Sequence, residues 1–344
     1  MKSIAALMAS AGLASLSALP ALAETIYIAG NGGSQEALLK SEIFPAFTEA
    51  TGTEIVYSAG NSAAVLARLL AQQDNQQTDI AMMNTGPMSQ AIELGLCRDL
   101  DISEHEANIH DFAKFDSGKA VGFGVVGLGI AYNTEAFEEN GWPVPTSWTA
   151  LEDDTFKGKM VFQPLNNTNG LLALIKIAEI KGGGVDNMDP GFEAMEASIA
   201  ENVLSFEPSS ARLAEMYQNG EVDISVWSST QVKVLAEKGF PITLSYPEEG
   251  AMIISNDVCA VTTEAMKPEA VEFINFLISP EIQEVLSRNL GFGPTNKLAE
   301  LTEAEAEGVP YGPEAVDKLQ NVDWDVVNRE REAWDRRWVR EIER

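Results

Sequence analysis

The run Gly122–Asn133 has no charged side chain, alternates glycines with apolar residues, and sits between two blocks of similar construction. A short apolar run bounded by turn signals reads as a strand buried on both faces. Glycines inside it mark a bulge, a bend or a close approach of another backbone. On either side lie short apolar strands, small polar loops and amphipathic helices, repeated in that order. A second stretch, Ser245–Val258, carries the chain back. Two arrangements satisfy this pattern. Two lobes joined by these stretches would leave a ligand cleft between them. Alternatively, both stretches are ordinary core strands of one large α/β domain.

In the first block, Thr25–Gly30 reads as a strand, Asn31–Ser34 as a glycine-rich loop, and Gln35–Thr51 as a helix ended by Gly52. The unit repeats with Thr53–Tyr57 and Ala63–Gln73, and again with Asp79–Met83 and Met88–Leu94. Strands alternating with helices imply a mainly parallel sheet covered on both faces. Ligands of such sheets sit beyond the carboxyl ends of the strands, where Ser34, Asn61, Ser62, Asn84 and Thr85 fall. In the second block, strand Lys157–Gln163 leads through the polar loop Pro164–Gly170 into helix Leu171–Ile180. Strand Gly220–Ser229 leads into helix Thr230–Lys238. Asn167, Thr168, Trp227 and Ser228 take the corresponding places there. The first N–H groups of a helix lack partners, so such loops suit an anion or dipole. Pro241–Tyr246 reads as a further strand and Pro268–Leu290 as one helix. The charged tail helix carries Trp324, Trp334 and Trp338, whose spacing reads as a packing face.

Residues 1–23 have the form of a secretory signal peptide: Lys2, the apolar stretch Ile4–Leu19, and Ala21-Leu22-Ala23 as cleavage site. The mature protein is then expected to start at Glu24 and to be soluble in the periplasm. A formal net charge of −29 repels nucleic acid and anionic lipid. Cys97 and Cys259 either form a disulfide, which export permits, or pack as two buried thiols. His105 and His110, with Asp101, Glu104, Glu106 and Asp111, read as a solvated acidic loop in preference to a metal site. Neither G-x-S-x-G nor H-E-x-x-H occurs. An exported hydrolase therefore stands only as an alternative to a binding protein, as does a ligand sensor for a membrane receptor. No cofactor is expected.

Taken together these stretches resemble the periplasmic solute-binding proteins of ABC importers, in the cluster of polyamine (spermidine/putrescine), thiamine and ferric-iron binders. The resemblance rests on Gly129-Ile-Ala-Tyr-Asn-Thr134, on Pro145-Thr-Ser-Trp-Thr-Ala-Leu151 with Phe156-Lys-Gly-Lys159, on Tyr246-Pro-Glu-Glu-Gly250, on Gly291-Phe-Gly-Pro-Thr-Asn296, and on the tail from Val322 through Trp338. It implies an α/β, two-lobed periplasmic binding protein fold (type II) with a two-segment hinge and the ligand cleft between lobes. Residues 24–131 plus 250–298 would form lobe 1 and 132–249 lobe 2, with 299–344 packing mainly on lobe 2. It also implies capture of a small-molecule solute and delivery to an ABC permease in the inner membrane, and we expect a monomer. Ferric binders carry adjacent tyrosines near the position of Trp227-Ser-Ser229, and this chain has no Tyr-Tyr pair. Polyamine binders carry a Trp near Trp227, and a Trp-x-Asp where this chain has Ile254-Ser-Asn256 followed by Asp257. The expected solute is therefore small and polar, amine-containing or zwitterionic: polyamine-like, or amino-acid- or aminophosphonate-like. Trp227 is expected in the cleft, its indole stacking on the solute or attracting the solute's ammonium, with Glu249 and Asp257 pairing with that ammonium; alternatively Trp227 is a core residue and Glu249 a solvated turn charge.

Overall fold

The apolar runs become strands β1 (Thr25–Asn31), β2 (Glu54–Gly60), β3 (Ile80–Asn84), β4 (Val121–Asn133), β5 (Met160–Phe162), β6 (Val203–Phe206), β7 (Ile224–Ser228), β8 (Ile242–Ser245), β9 (Ala251–Ala260) and β10 (Leu319–Gln320). The computed structural model describes residues 24–264, 266–316 and 318–343, so the signal-peptide stretch 1–23 lies outside the described residues. Strand order is β2-β1-β3-β9-β4-β7-β5-β6, with β10 beside β9 and β8 beside β4. β1 lies parallel to β2 and β3, and β5 parallel to β6 and β7. Among the crossing strands, β9 is antiparallel to β3 and β4 and parallel to β10, and β4 is antiparallel to β7 and β8.

β4 changes partners at Leu128. Before it, Val121–Leu128 pair with β9, and after it Leu128–Tyr132 pair with β7 while Ile130–Asn133 pair with β8. Hydrogen bonding thus runs unbroken from one half to the other through β4 and β9. The glycines of β4 allow this crowding. A Cβ at Gly129 would stand 2.3 Å from the Ser245 carbonyl oxygen, and one at Gly127 would stand 2.6 Å from the Tyr246 hydroxyl.

Buried apolar side chains gather in four clusters. Two belong to the first half, one around Ile28, Phe47, Phe123 and Phe273 and the other around Val65, Leu69, Met83 and Cys259. Two belong to the second, one around Ile130, Phe162, Leu174 and Trp338 and the other around Val161, Leu213, Tyr217 and Trp227. Sequence neighbours such as Ile28 and Ala29, or Val226 and Trp227, fall in different clusters. This follows from the pleat, which sends successive side chains to opposite faces. Each fully buried Val, Ile or Leu contributes about 1.5–3 kcal/mol, so the centre of the sheet carries much of the stability.

Three details differ from the sequence expectations or settle them. The run Pro268–Leu290 is two helices, Pro268–Leu277 and Pro280–Leu290. Pro280 lacks an N–H, and its ring would clash with the carbonyl one turn earlier, so a single helix cannot pass through it. Cys97 and Cys259 form a disulfide with Cα atoms 5.8 Å apart. The tail forms the helix Trp324–Glu341, in which Trp338 stacks on Phe162 with ring centroids 5.9 Å apart.

Candidate functional site

The carboxyl ends of β2 and β3 bring Ser62 and Asn84 together. Ser62 Oγ lies 3.1 Å from Asn84 Oδ1 and accepts the Asn84 N–H at 3.0 Å. Asn84 Nδ2 donates to the Ser255 carbonyl at 3.2 Å and to Asn256 Oδ1 at 3.4 Å, which ties the end of β3 to the crossing strand β9. Thr85 opens the helix Thr85–Glu93 directly after Asn84. Ser34 is exposed at the start of its own helix, and Asn61 accepts from Ala64 N at 2.8 Å, capping the helix Ser62–Ala71.

Asp257 is fully buried on β9. Its Oδ1 accepts a 2.5 Å bond from Ser255 Oγ, while its Oδ2 and Thr85 Oγ1 are both buried without a hydrogen-bond partner. Burial pushes the Asp257 carboxyl from 3.8 up to about 6. The hydroxyl of Ser255, and that of Thr85 lying beyond hydrogen-bond geometry, pull the other way. A raised carboxyl pKa means the folded chain holds this proton more tightly than the unfolded one. Its effect on stability is therefore most favourable below the unfolded value, and it is lost as pH rises through about 6. Asp257→Asn is expected to flatten that slope and to raise stability at mildly alkaline pH by up to about 3 kcal/mol. Urea unfolding at about pH 5 and about pH 8 measures this. An unchanged difference between the two conditions would assign the pH dependence to other groups.

In the second half, Asn167 Oδ1 accepts from Asn169 N at 2.9 Å and caps the helix Thr168–Ile180, and its Nδ2 donates to the Pro208 carbonyl at 3.1 Å. Asn169 Nδ2 donates to Gln163 Oε1 at 2.7 Å. A Cβ at Gly170 would lie 2.0 Å from the Gln163 carbonyl oxygen, so only glycine lets the strand end pack onto the first turn of this helix. Ser228 precedes the helix Ser229–Glu237 and is buried, with Oγ 3.4 Å from Thr230 Oγ1. Ser229 Oγ accepts from Gly127 N at 3.2 Å, joining this helix to β4. Asn61 and Asn167 spend their side chains as caps, whereas Asn84 and Ser228 make no side-chain cap. The first-turn N–H groups after Asn84 and Ser228 thus keep their positive ends for another acceptor.

Two of the residues expected from the sequence to face the solute are engaged by the protein itself. Trp227 is fully buried and forms no wall of a cleft. It stacks on Tyr217 at 5.9 Å with an interplanar angle of 11°, and its Nε1 donates to Ser210 Oγ at 3.3 Å. Central strands with helices on both faces bury both sets of side chains, and Trp227 points to the Tyr217 face. Glu249 is used as an acceptor by Ser147 Oγ and by Trp148 N, so it holds the start of the short helix Trp148–Glu152. Ser255 and Asn256 join the site although the sequence reading did not select them. Their signal was the polar triplet Ser255-Asn-Asp257 inside an otherwise apolar strand run.

The family pattern of bacterial extracellular solute-binding proteins matches residues 42–309. A spermidine/putrescine-binding periplasmic protein 1 from Haemophilus influenzae is 25% identical over 294 residues, 81% of this chain and 78% of that protein. A spermidine/putrescine-binding periplasmic protein from Salmonella typhimurium is 23% identical over 266 residues, 74% of this chain and 73% of that protein. The crystal structure of an ABC transporter from Clostridium perfringens superposes with a TM-score of 0.79 at 27% identity, covering 92% of this chain and 99% of the other. The fold class expected from the sequence, the α/β type II periplasmic binding protein fold, is the one observed, and its strands form one hydrogen-bonded sheet that runs through both halves. Matched over most of its length, the chain belongs to the bacterial extracellular solute-binding protein family.

Proposed function

We propose that this protein is the periplasmic receptor of an ABC importer and that its solute is a small zwitterion, amino-acid- or aminophosphonate-like, in preference to a linear polyamine. The observation that carries the choice is the pairing of opposite charges at the strand ends. The uncapped helix starts after Asn84 and Ser228 suit an acid group. The Asp257 carboxyl behind Thr85, closed to solvent as Trp227 is and with one oxygen unpartnered, adds a negative potential that favours an amine in front of it. With Trp227 in the core, the aromatic wall expected of a polyamine site is absent from that position. The names of the relatives from Haemophilus and Salmonella keep an amine in the solute class.

In this reading Ser34, Asn61, Ser62, Asn84 and Thr85 approach the solute from one side, and Asn167, Thr168 and Ser228 from the other. The bodies that close are 24–131 with 250–298, and 132–249, and the motion bends β4 and β9. The protein acts as a monomer without enzymatic activity. It reaches the periplasm through residues 1–23, and among the described residues no helix is long and apolar enough to cross a membrane. A thermal-shift screen of amino acids, aminophosphonates, putrescine and spermidine tests the solute, because a ligand of the folded state raises the melting temperature by mass action. A shift with the polyamines alone would overturn the zwitterion. For the best zwitterion, Asn84→Ala is expected to weaken binding by about tenfold, on the order of 1.4 kcal/mol, by calorimetric titration.

A further inference from the structure

We propose that the C-terminal helix Trp324–Glu341 is a strut that couples the two solute-facing edges mechanically, so that opening or closing of the halves must carry the helix with it, with Asn328 and Arg331 as its positioning residues. Trp324, Asn328 and Arg331 recur at helical spacing and lie on one side of it. Trp324 covers the first turn of the helix Thr85–Glu93, where a Cβ at Gly86 would stand 2.9 Å from the indole Cε3. Asn328 Nδ2 donates to the Gly86 carbonyl at 3.0 Å. One turn on, Arg331 Nη2 donates to the Leu165 carbonyl at 3.2 Å and the Asn166 carbonyl at 3.3 Å, in the loop that leads to Asn167. One helix face therefore holds the backbone beside Thr85 in the first half and beside Asn167 in the second.

The helix is itself well anchored. Asp323 caps its start by accepting from Asp325 N at 3.0 Å and Val326 N at 3.2 Å. At the far end Trp334 and Trp338 are buried, and the Arg337 guanidinium lies 4.1 Å from the Phe192 ring centroid. With 18 residues it is about 27 Å long, enough to reach both loops as one rigid body. Neither contact is an exposed ion pair that solvent would screen. Both are hydrogen bonds to backbone carbonyls, which leave the loop side chains free.

The strut bears on solute binding only through the assignment of those loops proposed above, but its test uses no ligand, so the two can fail separately. Hydrogen exchange is measured on the whole protein, on Asn328→Ala and on Arg331→Ala. Asn328→Ala is expected to speed exchange by about fivefold in residues 85–90, which it touches, and also in 165–171, which it does not. Arg331→Ala is expected to do the reverse, loosening 165–171 and, through the helix, 85–90. Arg331→Lys keeps a charged donor but not the planar guanidinium that holds Nη2 between the two carbonyls. It is expected to give an intermediate effect, and it serves in place of the alanine variant if that one does not fold. Loosening confined in each variant to the loop it contacts, or no loosening at all, would show two separate fasteners and overturn the strut.

Discussion

Replacing Cys97 and Cys259 together with alanine is expected to lower the unfolding free energy by about 5 kcal/mol. The two cysteines are 162 residues apart in sequence, so the bond closes a very long loop in the unfolded chain. The entropy removed by such a closure grows with the logarithm of loop length. The folded state accommodates the bond without rearrangement, because the strands beside it are already paired. Arg98 N donates to the Ala260 carbonyl at 3.0 Å, and Thr262 N to the Leu96 carbonyl at 2.8 Å. Urea unfolding of the double variant, and of the unmodified protein with and without reductant, measures the effect. A loss below about 1 kcal/mol would mean that the bond constrains the unfolded chain far less than its length implies.

Trp227→Ala is expected to cost about 3–5 kcal/mol through the cavity it leaves. The indole is fully buried, stacked on Tyr217, and packed among Val161, Leu213 and Val232. No nearby side chain can collapse into a space of that size without disturbing β5 or β7. The fraction that remains folded should bind solute with the affinity of the parent protein. A variant of near-normal stability and weakened binding would reverse this assignment and return Trp227 to the cleft.

The difference between these two sites explains how far the sequence could be read. Strands β3 and β5 stood out because burial on both faces makes Ile80–Met83 and Met160–Phe162 uniformly apolar. Burial on both faces hides which face each side chain takes, so nothing in Val226-Trp-Ser228 says which of the two receives Trp227. The polar loop residues at strand ends were legible as a set, since Ser62, Asn84 and Asn167 sit where a parallel sheet presents its carboxyl ends. Their partners were not. Glu249 meets Ser147, and Asn84 meets Asn256, across separations of 102 and 172 residues that no local pattern reports. The break at Pro280 was readable in principle, because proline inside a helical pattern ends the helix before it.

The placement of β9 between β3 and β4 sets an order on how the chain can be completed. Synthesis runs from the N-terminus and domains tend to fold as they emerge. Here the first half cannot do so. Met82 and Met83 wait for Val258 and Asp257, and Val121 waits for the same segment from its other side. Until residues 251–260 are available, β3 and β4 each present an open edge and the first half lacks a central strand. The nascent chain therefore stays incomplete, and exposed to holding factors, until about three-quarters of it has been made. A truncation before residue 251 is not a smaller version of the protein but a chain with its middle strand missing.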